Sequence, residues 1–259
     1  MTYSLTFESF GVLAEVATDD REIFEELASA LPPVWRPVTG EVAEHRFEAM
    51  RDGAVRLNGR VIAHTDGRRR RTLAMLAARL RDHLAVQSPL HVFVHAGVVC
   101  HEGSAIIVPG RSFSGKTTLV ARLVEEGAIY YSDEYAVVDG AGMIHPFPKP
   151  LSLRIPGSRR FALPARLPES QIGTAPIPAG LIVITGYEPG ASWRPKALSP
   201  AEAVLALLQH TIPVRARPRQ ALHAACHLAR AAPAVSGPRG EASDIACELL
   251  ALAGGRVAA

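Results

Sequence analysis

The residues whose types and spacing best suit chemistry lie in one short run: Gly110, Arg111, Ser112, Phe113, Ser114, Gly115, Lys116, Thr117 and Thr118. The run reads glycine, four residues, glycine, lysine and a hydroxyl residue, the pattern of a phosphate-binding loop. The glycines let successive backbone N–H groups point into one concave anion site. The lysine adds a mobile positive charge, and the first threonine hydroxyl can ligate Mg²⁺. We therefore expect a nucleoside triphosphate, ATP or GTP, to bind here with Mg²⁺.

The sequence around this loop supports the interpretation. At an average glycine usage of about 7%, a chain of this length would match the pattern by accident about once in a hundred times. An apolar, strand-like run at residues 105–108 precedes the loop, and a helix predicted at residues 117–126 follows it. A strand that leads through a glycine-rich loop into a helix places the positive end of the helix dipole at the anion site.

A pair of carboxylates, Asp133 and Glu134, follows Lys116 after one predicted helix and one predicted strand. Phosphoryl transfer needs a carboxylate near the γ-phosphate, either to hold magnesium or to orient and deprotonate the acceptor hydroxyl. Two other interpretations remain open. In the first, the pair only caps a solvent-facing turn. In the second, the pair is the second acidic box of a motor ATPase, and Glu134 polarises a water molecule. The short spacing from Lys116 favours a small kinase-type core over the motor.

The elements that must position these residues fall into two regions. Residues 1–90 predict a small α+β lobe, with a helix capped by Asp19, a hairpin at Asn58-Gly59 and a helix at residues 69–86. Residues 91–259 predict an α/β core. In this core, Ser199 opens a helix through a capping box, and the alanine-rich C-terminal third is mostly helical.

Composition excludes several classes of function. The chain has 259 residues, 48% of them hydrophobic and 20% charged, with a net charge of +3, too small an excess for a nucleic-acid-binding protein. No apolar run is long enough to span a membrane, and the N-terminus lacks the features of a signal peptide. Three widely spaced cysteines do not form a disulfide framework. We expect a cytoplasmic protein that binds neither nucleic acid nor membrane.

Three segments together resemble the nucleotide-binding core of HPr kinase/phosphorylase and, more narrowly, the HPr-kinase-related proteins of bacteria. They are His95-Ala-Gly-Val-Val, the loop from Gly110 to Thr117, and the Asp133-Glu134 pair. The segments Tyr130-Tyr-Ser-Asp-Glu-Tyr and Pro146-Phe-Pro-Lys-Pro-Leu-Ser-Leu-Arg are typical of that narrower group. The resemblance implies a P-loop core of HPr-kinase type, with a mixed sheet flanked by helices. It also implies transfer of a phosphoryl group to a serine of a peptide or protein, and a possible homo-oligomer.

The resemblance also implies roles for individual residues. Asp133 would take the proton of the acceptor hydroxyl, His95 would assist beside the transferring phosphate, and Thr117 with Glu134 would hold magnesium. Arg154 falls inside the family-like stretch and is a better candidate than Lys149 to neutralise charge in the transition state; the alternative is a surface arginine in a proline-rich loop. The chain departs from the family where Glu134 replaces a second aspartate and where Phe113 replaces a frequent glycine. The regulatory C-terminal region of the true kinases is not recognisable, so neither the HPr partner nor the phosphorylase reaction is implied.

Two rival functions remain open. A small-molecule kinase also places an aspartate one helix after its phosphate loop, although there the aspartate usually opens a helix. The apolar, β-branched residues 135–138 favour a strand at that position instead. A nucleotide-sensing binding protein without catalysis is the other alternative.

Overall fold

The computed structural model describes residues 2–111, 114–151 and 167–255. The chain is a mixed α/β protein that divides into two compact units, Met1–Leu90 and His91–Ala259. Each unit contains one mixed sheet. No helix within the described ranges has both the length and the apolar character required to cross a bilayer.

The first unit combines six strands with two α-helices. The strands are β1 (Tyr3–Ser9), β2 (Val12–Thr18), β3 (Arg36–Pro37), β4 (His45–Ala49), β5 (Ala54–Leu57) and β6 (Arg60–His64). The helices are α1 (Arg21–Glu25), followed by a 3₁₀ helix (Leu27–Ala30), and α2 (Arg69–Gln87). The strand order is β3-β1-β2-β4-β5-β6, antiparallel except for the β2–β4 pair.

Local sequence signals explain two elements of this unit. Asn58 and Gly59 have φ values of 49° and 79°, as a tight two-residue hairpin turn between β5 and β6 requires. The predicted cap at Asp19 is wrong by one residue. Asp20 caps α1, because its carboxylate accepts hydrogen bonds from the backbone of Glu22 and Ile23, while Asp19 accepts one from Arg51.

Within the described residues, the second unit contains eight strands and four α-helices. The strands are β7 (Val92–His101), β8 (Ser104–Pro109), β9 (Ile129–Ser132), β10 (Tyr135–Val138), β11 (Ile144–His145), β12 (Ala179–Tyr187), β13 (Lys196–Leu198) and β14 (Ala234–Arg239). The helices are α3 (Lys116–Glu125), α4 (Pro200–Leu208), α5 (Pro218–Ala231) and α6 (Ala242–Ala253), with 3₁₀ helices at Glu169–Gln171 and Ile212–Val214.

This sheet has the order β11-β10-β7-β8-β12-β14-β13, and β9 also pairs with β7. One face packs against α3 and α6 through buried residues such as Leu119, Leu123 and Leu249. The other face packs against α4 and α5 through residues such as Leu207 and Leu228. The sheet is therefore buried on both sides, which explains why β7 and β8 are almost entirely apolar.

Three parallel strands of this sheet, β8, β12 and β14, end at the same edge. Their last residues are Pro109, Tyr187 and Arg239. In open α/β sheets, ligands bind outside the carboxyl ends of the parallel strands. The loop that follows β8 begins at Gly110, so the phosphate-loop pattern lies at this edge.

The prediction of a mostly helical C-terminal third is incomplete. β13 and β14 both lie there, and β14 is an interior strand paired with β12 and β13. The segment was hard to identify because Gly237-Pro238 is typical of a turn, and proline is rare in interior strands. The predicted site residues Ser112, Phe113 and Arg154 lie outside the described residues.

Candidate active site

The loop after β8 leads directly into α3, as the sequence pattern predicts. Gly115 is the N-cap of the helix and has a φ of 85°, in the left-handed region that favours glycine. A Cβ atom at Gly115 would lie 2.5 Å from Arg239 Nη2, so a side chain at this position would collide with a buried guanidinium. Conformation and space together therefore require the glycine that the pattern specifies.

Lys116 turns back over the loop instead of extending into solvent. Its Nζ atom donates to the carbonyl oxygens of Gly110 and Arg111, at 2.8 and 2.7 Å. The residue is 6% exposed, and burial lowers its pKa from 10.5 to about 8, while the charges of Asp133 and Glu134 act in the opposite direction. A buried ammonium held by two carbonyl oxygens remains available to a stronger anionic partner.

Asp133 is held by contacts to both of its carboxylate oxygens. Thr117 Oγ1 donates to Oδ2 at 3.1 Å, which joins the phosphate loop to the acidic pair. On the other side, Lys149 Nζ lies 3.1 Å from Oδ1, and the hydroxyl of Tyr130 lies 3.1 Å from the same atom. The Tyr130 hydroxyl also contacts the carbonyl oxygen of Lys149 at 2.6 Å, so these two acceptors share its single proton.

The turn that carries the acidic pair is fixed to β7. β9 and β10 both pair with β7, where Ser132 faces Val98 and Tyr135 faces His95. The buried Ser132 hydroxyl accepts hydrogen bonds from the backbone N–H groups of Glu134 and Tyr135. These two pairings share one register, so the two carboxylates sit between β9 and β10, opposite the Ala96-Gly97 segment of β7 and beside the start of α3.

His95 lies at the mouth of the phosphate loop. Its Nδ1 atom is 2.7 Å from the Gly110 carbonyl oxygen, and its own carbonyl accepts a hydrogen bond from Gly110 N. Because a carbonyl oxygen can only accept, Nδ1 must carry the proton, which leaves Nε2 as the acceptor in the neutral ring. Burial, followed by the positive charge of Lys116, lowers the pKa of His95, so the neutral ring is favoured at pH 7.

Arg239 was missed by the sequence analysis, yet it lies against the loop. It is 2% exposed, and its Nη2 atom donates to the Gly115 carbonyl at 2.8 Å. Its Nη1 atom donates to the Gly240 carbonyl at 2.9 Å. Burial lowers the pKa of this arginine, while Glu241 and Tyr187 oppose the shift. The residue brings a second cation to the carboxyl edge of the sheet.

The residues present fit a triphosphate bound with magnesium. Ser114 Oγ is buried and has no hydrogen-bond partner among the described residues, so it is available to a phosphate oxygen. Thr117 donates its proton to Asp133, which leaves its oxygen lone pairs for a cation. No cluster of three or more His, Cys, Asp or Glu side chains suited to a metal occurs in the described ranges. Mg²⁺ does not require one, since it uses one or two carboxylates plus substrate phosphates and waters.

The structure thus brings together most of the predicted site residues that it describes. Lys116, Thr117, Asp133 and His95 meet around the start of α3, and Glu134 lies beside them with Oε2 3.7 Å from Lys149 Nζ. Arg111 and Thr118 are exposed on the loop and the first turn of α3.

Two further residues of the site, Lys149 and Tyr130, received too little weight in the prediction from sequence. Lys149 ranked below Arg154 as a source of positive charge, yet its ammonium contacts both carboxylates. Tyr130 looked like an ordinary apolar strand residue. A lysine between two prolines in a Pro-rich stretch gives little indication of where its side chain points.

No protein-family model matches this chain, and no curated protein sequence matches it.

Proposed function

We propose that this chain is a kinase that uses ATP, or GTP, with Mg²⁺ to phosphorylate a hydroxyl group, that of a serine in a peptide or protein. The approach of Thr117 Oγ1 to Asp133 Oδ2, at 3.1 Å, carries this proposal. It joins a phosphate-loop hydroxyl to a carboxylate, which is the pairing that phosphoryl transfer uses to place magnesium beside the γ-phosphate. The peptide or protein acceptor and a cytoplasmic location come from the resemblance to HPr-kinase-related proteins, and both belong to the proposal.

The chain's own residues divide the tasks of such a reaction. The backbone of the loop, Ser114 and Lys116 would bind the phosphates, and the N-terminus of α3 adds favourable dipole charge. Thr117 and a carboxylate of the acidic pair would hold Mg²⁺, which would supply positive charge to neutralise the phosphates. Arg239, fixed against the Gly115 carbonyl, would keep the end of the loop in place. Catalysis of this kind depends on positioning and electrostatics, which a rigid and buried site provides.

The test is a transfer assay with γ-labelled ATP, Mg²⁺ and a pool of serine-containing peptides. Lys116→Ala is compared with Lys196→Ala, a lysine that is exposed on β13 of the same unit. We expect label on peptide serine with wild type and Lys196→Ala, and a loss of at least a hundredfold with Lys116→Ala. Label that reaches only a small metabolite from a cell extract would identify a small-molecule kinase. Nucleotide binding without any transfer would favour a sensor and contradict the kinase proposal.

A further inference from the structure

We infer that Asp133 and Glu134 exchange the roles that the family resemblance implies. Asp133 is the carboxylate on the magnesium side, paired with Thr117, and Glu134 is the one that takes the proton from the acceptor hydroxyl. The inference rests on the proposed function, because it assigns the residues of that same reaction. Three observations on this site support it.

The first observation is that the carboxylate of Asp133 is already surrounded by donors. Thr117 Oγ1 contacts Oδ2 at 3.1 Å, while Lys149 Nζ and the Tyr130 hydroxyl each lie 3.1 Å from Oδ1. An acceptor hydroxyl that delivered its proton to Asp133 would have to displace one of these donors. The Thr117 contact also places Asp133 beside the hydroxyl that phosphate loops use as a magnesium ligand.

The second observation is accessibility. The side chain of Asp133 is 3% exposed, whereas that of Glu134 is 20% exposed. The acceptor arrives from solvent and must come within hydrogen-bond reach of the proton acceptor. The more accessible carboxylate is therefore better placed to receive it.

The third observation concerns reach. The backbone of Glu134 is fixed on both sides of its Cα atom, since its N–H donates to Ser132 Oγ and its carbonyl accepts from Ala96 N. Its longer side chain then extends from a rigid base, and Oε2 lies 3.7 Å from Lys149 Nζ, farther than Asp133 Oδ1 at 3.1 Å. Lys149 therefore holds Asp133 more tightly and acts as a positioning residue for the pair.

The resulting step balances without another reactant. Glu134 accepts the proton of the acceptor O–H group, and that oxygen forms a bond to the γ-phosphorus as the bond from phosphorus to the β,γ-bridging oxygen breaks. The products are the phosphorylated acceptor, the nucleoside diphosphate, and a protonated Glu134 that returns its proton to water. Asp133 takes no part in this proton transfer and keeps its contact with Thr117.

The experiment compares Asp133→Asn with Glu134→Gln in two assays on the full chain. Binding of Mn²⁺ together with ADP is measured by electron paramagnetic resonance. Transfer from γ-labelled ATP is measured to a pool of serine peptides and to water. We expect Asp133→Asn to weaken Mn²⁺ binding at least tenfold. Glu134→Gln should bind Mn²⁺ within about twofold of wild type and transfer at least a hundredfold more slowly, the size of effect that a lost general base produces.

Glu134→Asp is the conservative control, because it keeps a carboxylate with a shorter reach and should recover part of the transfer rate. Thermal melts confirm that each variant folds. The reverse pattern, with Mn²⁺ binding lost in Glu134→Gln and kept in Asp133→Asn, would overturn the inference. If wild type binds Mn²⁺ and nucleotide but transfers no phosphate to peptide or water, both the kinase proposal and the role of Glu134 are contradicted. Mn²⁺ binding lost only in Asp133→Asn would still support the Asp133 assignment in that case.

Discussion

Gly97 offers a test of how tightly the start of α3 is fixed to the sheet. A Cβ atom at this position on β7 would lie 2.5 Å from Val120 Cγ2, and Lys116 Cβ would be next, at 3.8 Å. Carbon atoms in contact prefer about 3.5–4.0 Å, so Gly97→Ala requires α3 to retreat by about 1 Å. Val120 cannot easily rotate away, because a helical valine has one strongly preferred rotamer, and this one is fully buried.

The retreat has two measurable consequences. Overpacking of this kind costs about 1–3 kcal/mol of unfolding free energy, equivalent to a Tm lower by about 2–12 °C for a unit of this size. The 3.1 Å contact between Thr117 Oγ1 and Asp133 Oδ2 would lengthen beyond normal hydrogen-bond distance. A misplacement of about 1 Å can cost about a hundredfold in rate, so any phosphoryl transfer should fall accordingly.

Calorimetry and the transfer assay measure these two effects. Gly140→Ala is the matched control, since a Cβ atom there would meet nothing within 4 Å, and its stability should stay within about 0.5 kcal/mol of wild type. If Gly97→Ala melts at the wild-type temperature and keeps full transfer, the close packing of α3 on β7 does not position the site, and this reasoning is refuted.

Three further perturbations probe the site. Lys149→Ala should lower the unfolding free energy by about 1–3 kcal/mol in urea unfolding, because the buried carboxylate of Asp133 loses the ammonium 3.1 Å away. Tyr130→Phe should cost about 1–3 kcal/mol in the same assay, since the Lys149 carbonyl loses its donor at 2.6 Å. The pKa of Lys116 is about 8 in the folded protein against an ordinary 10.5, so the ligand-free protein should gain stability as pH rises from 8 to 10.5.

The Lys149 substitution and the pH effect each have a control. Arg21→Ala breaks the Arg21–Glu25 pair, whose side chains are 76% and 59% exposed, and should change stability by less than about 0.5 kcal/mol. An equal loss of unfolding free energy in Arg21→Ala and Lys149→Ala would mean that the Lys149–Asp133 pair contributes no more to stability than an exposed pair does. For the pH effect, Lys116→Met should remove the rise above pH 8. A rise that persists in this variant would have to come from other groups.

Short-range patterns in the sequence were sufficient for much of the fold. The Asn58-Gly59 hairpin, the helix of residues 69–86 and the Ser199 capping box were all confirmed, because each depends on turn chemistry or periodicity within a few residues. The same applies to the passage from β8 through the glycine loop into α3. Such elements can be predicted from residues that lie close together in the sequence.

Features that depend on tertiary pairing were not predictable from local patterns. β14 contains Gly237-Pro238 and is stabilised as a strand by pairing with β12 and β13. Arg239 therefore could not be placed beside Gly115, 124 residues earlier in the chain. Lys149 reaches Asp133 from a proline-rich stretch that has no periodic signal. Long-range contacts of this kind become visible only when the sheet order is known.

The proposed function requires the loop from Gly110 to Thr117 to bind a nucleoside triphosphate with magnesium, and isothermal titration calorimetry with ATP and Mg²⁺ measures that binding. We expect saturable binding to wild type with one site per chain, and binding about a hundredfold weaker in Lys116→Ala, where the buried ammonium at the loop is lost. Equal affinity in the two proteins, or no binding of ATP or GTP to folded wild type at millimolar concentration, would contradict it.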